Sequence, residues 1–231
     1  MKKAALHNLG CKVNAYETEA MQEILEKHGY EIVPFGEKAD VYLINTCSVT
    51  NIADRKSRQM LHRARKMNPD AVVIAAGCYV QAAGRELLQD ISVDILIGNN
   101  EKANLPEILK AWEEEHDASH IHDLTREHTY EELSLSHTAE HTRAYMKIQD
   151  GCNQFCTYCI IPYIRGQYRS FPMEDLLQEA KNLASSGVKE LILIAQETTV
   201  YGMDCYGRKA LPELLTKLCE IEGIEWIRIL Y

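Results

Sequence analysis

Four short apolar runs, residues 3–9, 40–46, 71–76 and 93–97, are each followed by a stretch with helical spacing, and this alternation constrains the fold most. The runs are rich in Val, Ile, Leu and Ala and bounded by turn residues, as expected of strands buried on both faces. The first helix is expected from Asn14, an N-cap type with Glu17 three residues on. It places Ala20, Met21, Ile24, Leu25 and His28 on one face and ends at Gly29. A second follows Asn51, with Asp54 in its first turn. Strand and helix alternating in this way imply α/β architecture, a parallel sheet wrapped by helices.

Eight cysteines in 231 residues are many for a chain with no secretory signature. The start Met1-Lys2-Lys3-Ala4-Ala5-Leu6-His7-Asn8 is basic, but His7 and Asn8 interrupt any signal-peptide core. No apolar run approaches the roughly 20 residues of a bilayer span. The chain therefore reads as cytoplasmic, without a membrane partner, and its thiols call for a metal or catalytic explanation. Cys11, Cys47 and Cys78 each lie just past the C-terminal end of an expected strand. In a parallel sheet those turns share one edge, where ligand sites form. Three thiolates brought together there can hold an iron–sulfur cluster and leave one iron open. The competing reading is three separately buried thiols.

The helix after Cys47 carries Arg55, Lys56, Arg58, His62, Arg63, Arg65 and Lys66, several of them on one face at i, i+3 and i+4 spacing. Phosphate contacts and a solvated face explain that spacing equally well.

The second half opens with the strand pattern 144–149, followed by Asp150-Gly151-Cys152-Asn153-Gln154-Phe155-Cys156-Thr157-Tyr158-Cys159. The spacing is C-x3-C-x2-C with an aromatic before the last cysteine. Three close thiolates after a strand can wrap one cubane cluster. Structural zinc uses four ligands, and no fourth Cys or His is near. Residues 172–185 read as a helix, 188–195 as a strand, 211–221 as a helix and 224–231 as a strand, the β-α-β-α-β start of a barrel or open sheet. Cys219 falls with Leu214, Leu215 and Leu218 and reads as core packing; Cys205 receives no role.

Between the halves, residues 113–143 hold nine acidic side chains against Arg126 and Arg143, and six of the nine histidines. This segment accounts for −7 of the net charge of −9, so the acidic balance does not argue against an RNA partner. Irregular spacing favours a solvated linker over a zinc site. The expected domains are 1–112, an acidic His-rich linker 113–143, and 144–231.

Cys152, Cys156, Tyr158 and Cys159 resemble the radical S-adenosylmethionine (SAM) signature. With Cys11, Cys47 and Cys78 they resemble the methylthiotransferases of that superfamily. The stretch continuing through Ile160-Ile161-Pro162-Tyr163 and Arg165-Gly166 is characteristic. The resemblance implies two [4Fe-4S] clusters, one on each set of three cysteines, with SAM on the second. One electron from a donor such as flavodoxin or ferredoxin would cleave SAM to methionine and a 5′-deoxyadenosyl radical, while the first cluster would hold the inserted sulfur. The fold implied is an N-terminal parallel-sheet domain followed by the first part of a radical SAM partial (βα) barrel.

Leu9-Gly10-Cys11-Lys12-Val13-Asn14, Asn45-Thr46-Cys47-Ser48-Val49-Thr50-Asn51 and Asp54-Arg55-Lys56-Ser57-Arg58-Gln59 resemble the enzymes that insert a methylthio group at C2 of N6-threonylcarbamoyladenosine beside the anticodon in tRNA. Ile194-Ala195-Gln196-Glu197-Thr198-Thr199, Tyr201-Gly202 and Trp226-Ile227-Arg228-Ile229-Leu230-Tyr231 look more like relatives acting on an aspartate of a small-subunit ribosomal protein. The first set outweighs the second, so tRNA rather than DNA or protein is the expected substrate. A truncated, non-catalytic iron–sulfur or zinc module is the alternative outside the family. Arg55, Arg58, Arg165 and Arg169 are candidates for substrate contact. The 88 residues after the linker supply three strands, about half of the family's radical SAM domain, and no C-terminal RNA-binding domain, so a truncated barrel is expected.

Overall fold

The computed structural model describes residues 1–124, 130–138 and 142–230. Arg126, Glu127, His128, Glu140 and His141 of the acidic segment, and the terminal Tyr231, lie outside the described residues. The chain divides into two compact units, Met1–Leu124 and Thr125–Tyr231.

Unit one contains β1 (Lys3–Asn8), α1 (Lys12–Lys27), β2 (Glu31–Ile32), β3 (Val41–Thr46), α2 (Asn51–Met67), β4 (Val72–Gly77), α3 (Cys78–Ala83), β5 (Ile95–Ile97), α4 (Leu105–Glu115) and β6 (Ser119–His120). The six strands form one all-parallel sheet in the order β2-β1-β3-β4-β5-β6. Successive residues alternate between two cores because strand side chains point to opposite faces. Ala5, Ile44, Val73 and Leu96 pack with Leu61 and Ala64 of α2; Ala4, Leu43, Ile74 and Ile95 pack with Met21 and Leu25 of α1 and Leu105, Ile108 and Leu109 of α4. Helices thus cover both faces. β1 has neighbours on either side from the crossovers that follow it, so the strand order reverses between β1 and β3. Such a switch point opens a crevice at the carboxyl ends of the strands.

Two helix starts differ from the expectation. α1 begins two residues before Asn14, and Asn14 is a buried helix residue rather than a cap. α2 is capped by Thr50, whose hydroxyl accepts from the backbone N–H of Ala53 at 3.1 Å. The segment 113–143 is also more structured than a solvated linker. Its start completes α4, and Ser119–His120 forms β6, pairing in parallel with β5. This pairing makes β6 the edge strand and gives β5 two hydrogen bonds, Leu96 N–H to the Ala118 carbonyl at 2.8 Å and Gly98 N–H to the His120 carbonyl at 2.8 Å. In unit two Leu133 and Leu135 of the same segment are buried, and the Leu135 N–H donates to Glu179 at 3.1 Å.

Unit two contains β7 (Arg143–Lys147), β8 (Gln149–Asp150), α5 (Ile161–Ile164), β9 (Arg169–Ser170), α6 (Met173–Ser185), β10 (Glu190–Ile194), α7 (Met203–Tyr206), α8 (Leu211–Cys219) and β11 (Trp226–Leu230). β7, β10 and β11 are parallel neighbours in sequence order, the progression of a (βα) barrel rather than of a doubly wound sheet. β8 and β9 form a separate antiparallel ribbon. Leu176, Ala180 and Leu183 of α6 and Leu214 and Leu218 of α8 are buried. Cys219 is exposed at the end of α8, not in the core, because the buried stripe of that helix runs through Leu214 and Leu218. Among the described residues no helix is long and apolar enough to cross a membrane.

Candidate active site

The sheet of unit one brings three cysteines to one edge. Cys11 caps α1 just beyond β1, Cys47 follows β3, and Cys78 is the first residue of α3 directly after β4. These strands are adjacent and in register, with Asn8 opposite Asn45 and Thr46 opposite Gly77. Cys11 and Cys47 therefore flank the switch point, and Cys78 stands one strand further on.

Close backbone approach holds the turns together. Gly10 has φ +101°, and a Cβ there would lie 2.7 Å from the Cys47 Cβ and 2.8 Å from its Sγ. Gly77 has φ +91°, and a Cβ would lie 2.4 Å from the Asn45 side-chain oxygen and 2.9 Å from the Thr46 carbonyl. Only glycine fits either place without moving a neighbour. Asn14 ties the first two turns, its Nδ2 donating to the carbonyls of Leu9 at 2.8 Å and Thr46 at 2.9 Å. Ser57 of α2 clasps Cys47, its hydroxyl accepting from the Cys47 N–H at 3.3 Å and donating to the Cys47 carbonyl at 3.2 Å. The Thr46 hydroxyl donates to the Ala76 carbonyl at 2.5 Å, joining the second turn to the third.

Cys11 is exposed while Cys47 and Cys78 are buried, and all three are free thiols. Among the described residues no three His, Cys, Asp or Glu groups surround a single point closely enough to hold one metal ion. A cubane is a larger body bound by thiolates, and Cys11, Cys47 and Cys78 supply three such donors. Gly10→Ala is expected to displace Cys47. Iron bound at this site after anaerobic reconstitution should fall at least severalfold, measured in a chain whose second cysteine set is alanine.

Beside this edge, α2 presents Arg55, Lys56, Arg58, His62, Arg63 and Lys66 as exposed residues. Arg58 donates to the Tyr79 hydroxyl at 2.9 Å and lies 5.7 Å from the centre of that ring, on the residue that follows Cys78 in α3. Arg55 is exposed, and His62 pairs with Asp90 at 2.7 Å.

In unit two the cysteine loop runs from β8. Gly151 has φ +77°, and its Cα faces the backbone so closely that a Cβ would stand 2.1 Å from the Gln167 carbonyl. The Cys152 N–H donates to the Gly166 carbonyl at 3.2 Å, and the Cys159 N–H to the Cys156 carbonyl at 2.9 Å. Cys152 is buried, Cys159 half-buried and Cys156 exposed. Burial pushes the Cys152 thiol up from its ordinary pKa; the nearby Glu197 carboxylate and the Cys159 and Cys156 thiols act the same way, and the Gln154 backbone N–H opposes them. Glu197 follows β10, where its carboxylate accepts from the Thr199 backbone N–H at 3.1 Å. Tyr158 and Phe155 are exposed, the latter at φ +46°.

Under the loop sits a charged anchor. The Arg165 guanidinium Nη1 lies 3.2 Å from each Asp150 carboxylate oxygen, and the Lys147 ammonium lies 3.3 Å from Asp150 Oδ2, with all three residues buried. Asp150 Oδ1 also accepts the Gly151 N–H at 3.0 Å. Arg165, expected to be available to substrate, is thus engaged beneath the loop, fifteen residues from the carboxylate it holds. Arg169 is buried as well. Its Nη2 donates to the Arg165 carbonyl at 3.1 Å, while its Nε and Nη1 have no partner among the described residues.

Residues 146–231, which hold the barrel start and the C-x3-C-x2-C loop, match the model of the radical SAM superfamily. Residues 3–98 match that of the uncharacterized protein family UPF0004. The chain is 41% identical, over 99% of its length, to the threonylcarbamoyladenosine tRNA methylthiotransferase of Bacillus subtilis, and 40% identical, over 100%, to the ribosomal protein uS12 methylthiotransferase of Clostridioides difficile. It is thus similar over its whole length to methylthiotransferases, with the radical SAM match confined to residues 146–231. It spans about half the length of those curated relatives, 51% and 53%. The radical SAM methyltransferase TsrM of Kitasatospora setae shares the fold, with a TM-score of 0.60 at 14% identity over 94% of this chain and 51% of that one.

Proposed function

We propose that the chain carries the two cluster sites of a methylthiotransferase that adds a methylthio group to C2 of N6-threonylcarbamoyladenosine in tRNA. The observation that carries this reading is the convergence of Cys11, Cys47 and Cys78 on three adjacent strand ends, in a chain that also holds the C-x3-C-x2-C loop. Cys11, Cys47 and Cys78 would ligate one [4Fe-4S] cluster and Cys152, Cys156 and Cys159 another. When bound, the clusters and SAM supply one-electron cleavage of the sulfonium and the sulfur to be transferred. The protein's own groups bind and orient. Glu197 offers a carboxylate to the ammonium of SAM. Arg169, with two buried N–H groups unpaired among the described residues, is the candidate for an anionic group of SAM or substrate. Tyr158 lies exposed within the cysteine loop, where it can pack against SAM. The exposed cations of α2, Arg55 and Arg58 among them, suit an RNA backbone beside Cys47. A one-electron donor such as flavodoxin or ferredoxin would serve the second site, in the cytoplasm.

Anaerobic reconstitution with iron and sulfide tests the reading. About eight iron per chain is expected from two cubanes, and zinc in place of iron would overturn it. Incubating the full-length protein with tRNA or with the ribosomal protein, followed by mass spectrometry, separates the substrates. Modification of the protein substrate alone would reject tRNA. Cys47→Ala is expected to leave SAM cleavage largely intact while methylthio insertion falls to background; loss of cleavage as well would contradict the division of labour between the two sites.

A further inference from the structure

The turn after β5 contains none of the cysteines, yet it closes on Cys78. Asn99 is fully buried, and its amide Nδ2 donates to the Cys78 Sγ at 3.7 Å. The other end of that amide, Oδ1, accepts from the Lys102 ammonium at 2.8 Å. A lysine ammonium has donors only, so this contact decides the amide's orientation and directs its N–H to the sulfur. Lys102 is itself fully buried, 3.1 Å from the equally buried Glu17 carboxylate of α1. The Asn99 backbone N–H donates at 3.0 Å to Gln81 Oε1, on the helix that Cys78 begins. Gly98 makes room for that clasp, since a Cβ there would lie 2.6 Å from the same oxygen.

Stability alone does not require this arrangement. Desolvating an ammonium and a carboxylate is costly, and replacing a buried ion pair by apolar residues is often neutral or stabilising. What the network does hold is an amide N–H aimed at the Cys78 sulfur. The ammonium on Oδ1 polarises the amide and makes its far N–H a stronger donor. Such a bond to a thiolate is charge-assisted, and it favours the more negative state of whatever that thiolate ligates. Hydrogen bonds to sulfur are among the determinants of cluster potential.

We propose that Asn99, oriented by Lys102 and Glu17, is a positioning residue that raises the reduction potential of the cluster ligated by Cys78. The inference rests on the reading that Cys11, Cys47 and Cys78 hold a cluster. The test uses the chain with Cys152, Cys156 and Cys159 replaced by alanine, reconstituted anaerobically with iron and sulfide and titrated potentiometrically by electron paramagnetic resonance. If this parent binds no iron and sulfide, the cluster reading itself fails. Given a loaded parent, Asn99→Asp removes the donor and adds charge, and Asn99→Ser removes it without charge, being too short to reach the thiol. Both are expected to lower the midpoint potential at unchanged iron content, Asn99→Asp by more, and Lys102→Met to lower it less. An unchanged potential in Asn99→Ser would overturn the proposal, whether or not Asn99→Asp assembles a cluster. Should neither Asn99 variant load, Lys102→Met decides in the same way.

Discussion

Cys156→Ala is expected to reduce cleavage of SAM to methionine and 5′-deoxyadenosine to background while iron falls from about eight to about four per chain. Cys156 is the exposed middle member of its loop, so losing its side chain leaves little void. The backbone contacts that shape the loop, Cys152 to Gly166 and Cys159 to Cys156, do not use its thiol. The loss is therefore one of ligation rather than folding. The site on unit one draws on separate strands and should still load. Cleavage assayed by chromatography, together with iron and sulfide analysis of the same sample, checks both halves of the expectation. Retained cleavage would remove the C-x3-C-x2-C loop from the chemistry.

Asp150→Ala is expected to act through stability. The carboxylate is the anion against which the buried Arg165 guanidinium and Lys147 ammonium are set, and it also receives the N–H of Gly151. Removing it leaves cations deprived of that partner in a site without water access, which costs about 3–5 kcal/mol. The cysteine loop begins one residue later, so the same change should loosen Cys152. Urea unfolding followed by circular dichroism should show a transition for unit two at markedly lower denaturant. Arg165→Met, which removes one charge of the group and keeps much of its volume, should cost less. An unchanged midpoint in Asp150→Ala would mean that the anchor contributes nothing measurable.

β1, β3, β4, β5 and β10 were legible because each falls in a short apolar run, the pattern that a sheet covered on both faces demands. The six cysteines at turn positions were legible for the same reason: where a strand ends is a local property, and the turn after it follows. Asn14 was misread because its amide serves two carbonyls, Leu9 and Thr46, one of them 32 residues away. A cap residue and a buried bridge have the same local neighbours. β6 carried no signal, since Ser119 and His120 are polar and the strand exists to satisfy the edge of β5. Arg165 was expected to meet substrate because it follows the cysteine loop, and only the folding of that loop against β8 and β9 sets it on Asp150.

The sequence by itself determined the class of fold, the order of its elements and the two sets of thiols. These depend on side-chain period, turn chemistry and spacing along the chain. Tertiary structure decided which polar groups serve those thiols. Glu17 is far along the chain from Asn99 and Lys102, and Asp150 meets Arg165 across a loop, so spacing along the sequence does not reveal either contact. A buried hydrogen bond or ion pair is specified by where two backbones pass one another, and that is settled only once the sheet is assembled.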